Sequence, residues 1–181
     1  PRFARQSFRA QFDALQRSRR EHSRPRSTRR GDPVILFPDT FSNLFRPQSA
    51  LAAVRVLEAS GARVNLSPDR LCCGRPYYDF GMLDKAKAYL KDAMDALGEE
   101  ISTGTPIVVL EPSCASVFRD EAVNLMPDDP RTAALKRQTM LLSEFHWSCP
   151  AESGLPGGAK DVATQEQRGL AYRNYVEQAA A

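Results

Sequence analysis

The sequence predicts an α/β fold. The expected architecture is three-layered: a short parallel sheet in strand order 2-1-3, with helices on both faces, a flexible basic N-terminal arm and a loose C-terminal tail. Two observations predict it. Short runs with strand character occupy residues 34–37, 62–66 and 106–110. Between and after them, apolar residues recur at helical spacing. Strands alternating with helices point to a parallel sheet covered on both sides. Right-handed crossovers make 2-1-3 the most economical order.

The elements follow in sequence. Residues 1–33 read as a basic arm or linker, with ten arginines in residues 1–31 against only Asp13 and Glu21. The stretch "RSRREHSRPRSTRRGDP" has almost no apolar content and cannot offset the entropy cost of ordering. Removing residues 1–31 is therefore expected to leave the thermal transition unchanged. The continuous apolar run "VILF" suits a strand buried on both faces. "RPQSALAAVRVLEASG" then reads as a helix: Pro47 suits its first turn, Leu51, Val54 and Leu57 share a face, and Gly61 closes it. "ARVNL" alternates like a second strand. Residues 79–101 are the strongest helix, with Met82, Ala86, Leu90, Met94 and Leu97 on one side. The third strand ends before Pro112, and helices are expected over 115–126 and 131–146. The domain proper thus spans 34–146. The tail, 147–181, begins rich in Gly, Pro and Ser, and its helical stretch has a thin apolar face.

Composition narrows the function classes. A 181-residue chain with 42% hydrophobic residues can build one core. The net charge of +3 comes from the arm, since the remainder is mildly acidic. No aromatic residues interleave the arginines of residues 17–33, so no nucleic-acid partner is expected. The first thirty residues lack the apolar run of a signal peptide, and no stretch approaches a membrane span. Four cysteines are too few for a disulfide scaffold. Together these suggest a reducing, cytoplasmic setting, where clustered cysteines bind metal or do redox chemistry. The chain starts at "PRFARQSF" without an initiator methionine, which reads as a processed product or a piece of something longer.

The chemistry is expected where three loops leave the carboxyl ends of the strands, the usual ligand edge of an open parallel sheet. Two of those loops hold Cys72-Cys73-Gly74 and Cys114. The fold reading brings them to one edge despite the sequence gap. Thiolates suit iron–sulfur clusters and zinc. Gly74 lets the backbone curl and accepts positive φ. Cys114 opens a helix, whose positive end favours a thiolate. The plainer alternative makes Cys72 and Cys73 half-buried loop residues and Cys114 a small core residue.

Three motifs, "LFPDTFSNLF", "LCCGRPYYDFGMLDKAK" and "LEPSCASVFRDE", resemble in order the cysteine-rich CCG domain. That domain occurs in heterodisulfide reductase, in the iron–sulfur component of glycolate oxidase and in anaerobic glycerol-3-phosphate dehydrogenase. The nearest likeness is to the C-terminal iron–sulfur region of FAD-linked D-lactate-dehydrogenase-type oxidases. The resemblance covers roughly residues 34–146. It implies an electron-transfer iron–sulfur domain, of 4Fe-4S type, serving a flavin-linked 2-hydroxy-acid oxidoreductase. It makes Cys72, Cys73 and Cys114 the metal ligands, with Gly74 shaping the site. FAD would reside in the parent protein or a partner. The implied partners are a flavin-containing oxidase module and a ferredoxin-type iron–sulfur module, in the same parent chain or in a separate one. A quinone-linked acceptor implies peripheral association with the inner face of the membrane. The chain departs from the pattern at two places: Pro38-Asp39-Thr40 and Val117 stand where the family has cysteines, so Asp39 is the candidate oxygen ligand. The other readings are a clusterless docking domain and a zinc-bound structural module.

Other residues attract weaker readings. His22 lies in the arm and reads as solvent-exposed. His146 and Cys149 form an H-x-x-C pair that could join the other cysteines on zinc, or simply pack. Tyr77 and Tyr78 could border a ligand pocket or cover the sheet edge. The chain lacks G-x-G-x-x-G, Walker and G-x-S-x-G motifs, which leaves dinucleotide, NTPase and hydrolase readings without support.

Overall fold

The computed structural model describes residues 2–22, 31–68 and 71–148. Helix α1 (Phe8–His22) comes first, then β1 (Pro33–Phe37), a short α2 (Thr40–Leu44) and α3 (Pro47–Ala59). β2 (Arg63–Leu66) is followed by α4 (Arg75–Asp79), α5 (Leu83–Ala96) and α6 (Gly98–Thr103). β3 (Ile107–Val109) leads into α7 (Pro112–Ser116), a π-helical turn over Val117–Glu121, and α8 (Ala122–Leu125). α9 (Pro130–Gln138), β4 (Thr139–Leu141) and α10 (Leu142–Ser148) complete the described chain.

All strand pairs are parallel, in the order β2-β1-β3-β4. The 2-1-3 order read from the sequence is the first part of this sheet. Val34 pairs with Val64, and Ile35 with Ile107, so β1 is central and its apolar run is covered on both faces. Val34 and Leu36 point into one core with Val64, Val108, Val54 and Leu57. Ile35 and Phe37 point into the other with Ile107, Val109, Leu90, Met94, Phe118 and Leu135. Period-two alternation along one strand thus builds the two interfaces of the three layers.

Four expectations need correction. The arm does not hold as a flexible element over residues 8–22. Phe8 and Phe12 are one helical turn apart and both are buried in the first core. Arg9 reaches over to donate to the Ser67 and Pro68 carbonyls, at 2.7 and 2.9 Å. Arg19 forms a bidentate pair with Glu58 on α3. Even Phe3 stacks on Phe45, with centroids 4.7 Å apart. Averaging composition over both faces hid a narrow apolar stripe beneath the arginines. The linker residues 23–30 and the tail from 149 onward lie outside the described residues.

The second correction is β4, which splits the helix expected over 131–146. Thr139 takes extended backbone, and its hydroxyl donates to Leu135 O at 2.7 Å. "TML" then pairs alongside β3. A short apolar run does not by its spacing separate strand from helix, and here the free edge of β3 decides. Third, the helix expected over 79–101 is divided. Gly81, with φ of 71°, separates α4 from α5, and Met82 is half exposed instead of joining the apolar face. Its companions Ala86, Leu90, Met94 and Leu97 are buried as expected. The helix expected to start at 115 starts at Pro112, which suits a first turn.

Candidate functional site

The sheet order places the loops after β1, β2 and β3 side by side at the carboxyl edge. Each contributes to one cavity of about 110 Å³, lined among others by Phe37, Asp39, Leu71, Cys72, Cys73 and Cys114. The structure therefore brings together all three cysteines singled out in the sequence, with Asp39. Cys73 Sγ lies 3.1 Å from Cys114 Sγ. Both side chains are buried, and Cys72 is half-buried beside them. The Gly74 amide donates to Cys72 Sγ at 3.5 Å.

Backbone geometry explains the placement. Gly74 has φ of 83°, which turns the chain sharply from the cysteine pair into α4. A Cβ there would stand 3.1 Å from Ala86 O and 3.2 Å from Tyr89 Cβ, so α5 lies against the glycine and leaves no room for a side chain. Cys114 sits in the first turn of the helix that opens at Pro112. Glu111 caps it, its carboxylate accepting from Ser113 N at 3.2 Å.

Asp39 reaches the same cavity, but its carboxylate is committed to capping α2. Oδ1 accepts from the Phe41 and Ser42 amides at 2.7 and 3.0 Å, and Oδ2 from the Ser42 hydroxyl at 2.5 Å. That bonding accounts for its burial without a metal.

The spacing reading missed Arg75, Ser116 and Glu121. Glu121 is buried at the end of the π-helical turn. It accepts from Ser116 Oγ at 3.0 Å and from Arg75 Nη1 at 2.6 Å. The extra residue of a π turn swings a side chain off the helical face it would otherwise share. Here it ties the helix of Cys114 to the residue after Gly74. Arg75 also pairs with Asp79 and lies over the Tyr78 ring, 5.7 Å from its centroid. Arg75 lines the cavity and brings positive charge to its wall. No sequence signal marked this network, because a π turn has no spacing rule. Tyr77 is turned away to stack on Tyr89, centroids 4.9 Å apart. His146 lies on α10, its Nδ1 buried with no partner among the described residues. The proposed companion Cys149 lies outside the described residues.

The thiols shift one another. Contact with Cys114, with burial adding to it, pushes the Cys73 thiol up to about 12. Cys72 is raised as well, chiefly by Cys73 and then by burial. Together these keep the Cys72 and Cys73 thiols protonated at neutral pH. Three soft sulfurs at one mouth match an iron–sulfur cluster in donor chemistry. Their spacing is tighter than metal binding requires. Two sulfurs on one tetrahedral zinc stand about 3.8 Å apart, given bonds near 2.3 Å, and a cluster spreads its ligands further. Among the described residues, no three His, Cys, Asp or Glu side chains are already grouped to hold a metal ion. Loading would require Cys73 and Cys114 to part.

Residues 39–119 match the family model described as the cysteine-rich domain, CCG. The chain is also similar to proteins called lactate utilization protein A. The Bacillus velezensis protein is 33% identical over 105 residues, covering 58% of this chain and 42% of that protein. The Bacillus cytotoxicus protein is 33% identical over 101 residues, covering 56% and 40%. The Bacillus thuringiensis protein is 32% identical over 100 residues, covering 55% and 40%. This chain therefore spans less than half the length of these relatives. No solved structure matches it.

Proposed function

We propose, from the premise that residues 39–119 carry a cysteine-rich domain of the CCG family, that this chain is the iron–sulfur domain of a lactate-utilising oxidoreductase. The observation that carries the reading is the convergence of Cys72, Cys73 and Cys114 on one cavity, inside the segment that matches the family. The similarity to lactate utilization protein A supports a 2-hydroxy-acid substrate for the parent enzyme. A bound cluster, of 4Fe-4S type, would supply one-electron transfer.

The chain's own residues would do the holding. Cys72, Cys73 and Cys114 would ligate iron as thiolates, giving up their protons on binding. Arg75 and the opening turn at Pro112 would offset the negative charge of the thiolates. Phe37, Phe41 and Leu71 would keep water from the site. Electrons would come from a flavin-containing oxidase module, with its FAD elsewhere in the parent chain or in a separate one. A ferredoxin-type module would relay them, and a quinone or disulfide would accept them. Among the described residues, no helix is long and apolar enough to cross a membrane. The proposed setting is cytoplasmic, with peripheral contact to the inner face of the membrane through a quinone-linked acceptor.

The test is anaerobic reconstitution of the full chain with ferrous iron and sulfide, followed by desalting. A brown protein whose visible band bleaches with dithionite is the expected result. A colourless protein overturns the cluster reading. The close contact of Cys73 and Cys114 favours one second reading, a clusterless docking domain that keeps the fold. That reading predicts the colourless outcome, without retained metal. Zinc retained without colour would point instead to a structural module.

A further inference from the structure

We propose that Cys73 and Cys114 are a reversible disulfide pair, and that closing this bond locks the site against metal. The locking half rests on the cysteine ligation proposed above; the disulfide half does not. The two sulfurs already lie 3.1 Å apart and both thiols are free. Disulfide formation therefore needs a movement of about 1 Å, to reach a bond near 2.05 Å. Metal binding needs movement the other way. Neither end is on a floppy segment. Gly74 is pressed against α5, which fixes the residue before it, and Cys114 sits within a capped first helical turn.

A bond within the adjacent pair is excluded by geometry. Cys72 is adjacent to Cys73 in sequence, and a disulfide between neighbouring residues closes a strained ring. It is left as a free thiol when the other two are joined. Both Cys73 and Cys114 line the cavity, whose volume of about 110 Å³ admits a small peroxide. The chemistry balances with hydrogen peroxide as oxidant. One thiol gives up its proton as its sulfur attacks a peroxide oxygen, the O–O bond breaks, and the departing hydroxide takes that proton, so that a sulfenic acid and water form. The second thiol then attacks the sulfenic sulfur, the S–O bond breaks, and a second water leaves with the disulfide closed. Two thiols lose two electrons and the peroxide gains them. A small dithiol reverses the step by exchange.

A closed bond ties two positions 41 residues apart, so it also restricts the unfolded chain. The oxidised protein should melt at higher temperature than the reduced one. It should also take up no iron, because two of the three proposed ligands are consumed.

The experiment uses the full chain, metal-free, treated with hydrogen peroxide and then mapped by mass spectrometry of its peptides. The chain has four cysteines, so the reduced protein titrates four thiols. The expected oxidised protein titrates two, shows the Cys73 peptide joined to the Cys114 peptide, and regains four thiols with dithiothreitol. Cys72→Ser should keep the linkage, and Cys114→Ser should lose it. If a variant fails to fold, the peptide map of the unaltered chain decides alone. A link through Cys72, or peroxide converting single cysteines to sulfinic acid without any link, overturns the proposal. Iron uptake is then measured on both states. If the bond forms but the reduced protein takes no iron, the cluster reading fails and the disulfide stands. If the reduced protein takes iron and no bond forms, the disulfide fails and the cluster reading stands. Equal iron uptake by the oxidised and reduced protein overturns the lock.

Discussion

Cys73 Sγ and Cys114 Sγ touch at 3.1 Å across 41 residues of sequence. Chain crossover is what joins them. β1 lies between β2 and β3, and the loops that follow these two neighbours meet beyond the end of β1. Asp39, leaving that central strand, closes the third side.

Gly74 is the hinge of this arrangement. Replacing it with alanine forces a side chain into left-handed backbone and against α5. The strain should cost about 1–3 kcal/mol, read from urea unfolding. Cys73 should lose its position at the same time. A fully stable Gly74→Ala protein would show that α5 yields, and that the turn is less constrained than its contacts imply.

Helix α1 should behave as part of the domain. Phe8→Ala removes a fully buried ring and should lower stability by about 3–5 kcal/mol. Deleting residues 2–22 should depress the thermal transition by many degrees, contrary to the linker reading of the basic sequence. A truncated protein that melts with the intact one would restore that reading.

Glu121 joins the helix of Cys114 to Arg75. Glu121→Gln keeps the shape and removes the charge that Arg75 faces at 2.6 Å. The loss should be about 1.5–3 kcal/mol, the value of a hydrogen bond to a charged group. Arg75→Lys should restore little, since one ammonium cannot serve both Glu121 and Asp79 with the fork of a guanidinium. Equal stability of the Glu121→Gln protein would make the network incidental to the fold.

Alkaline stability should report on the buried thiol. In the metal-free protein, contact with Cys114 raises Cys73 to about 12, from an ordinary value of about 8.5. The folded state therefore keeps a proton that the unfolded chain releases first. The stability this contributes is full below about pH 8.5 and is lost as pH rises toward 12. Cys73→Ala should flatten that alkaline decline in urea titrations across the range. Identical slopes in the two proteins would contradict the shift.

Much of the fold was legible because its signals are local and redundant. "VILF" could be read as a two-faced strand from its unbroken apolar run, and Gly61 and Pro47 marked the ends of α3. The cysteine edge followed from topology once the strand order was set. What escaped notice depended on partners distant in sequence. "TML" becomes a strand only because β3 offers an open edge. Phe8 and Phe12 are two apolar residues in a charged segment, and only the surface they cover gives them weight. Arg75 and Glu121 meet through a π turn, which leaves no periodicity to read.

The most direct measurement is iron and acid-labile sulfide per chain after anaerobic reconstitution, compared across single alanine variants. The unaltered chain should retain both, with a visible band. Cys72→Ala, Cys73→Ala and Cys114→Ala should each lose iron, sulfide and colour together while keeping the helical far-ultraviolet signal. Cys149→Ala, which removes a cysteine that is not among the proposed ligands, should keep them all. Retention of iron and colour by the three cavity variants, or absence of both from the unaltered chain, would contradict the assignment of this cysteine cluster as an iron–sulfur site.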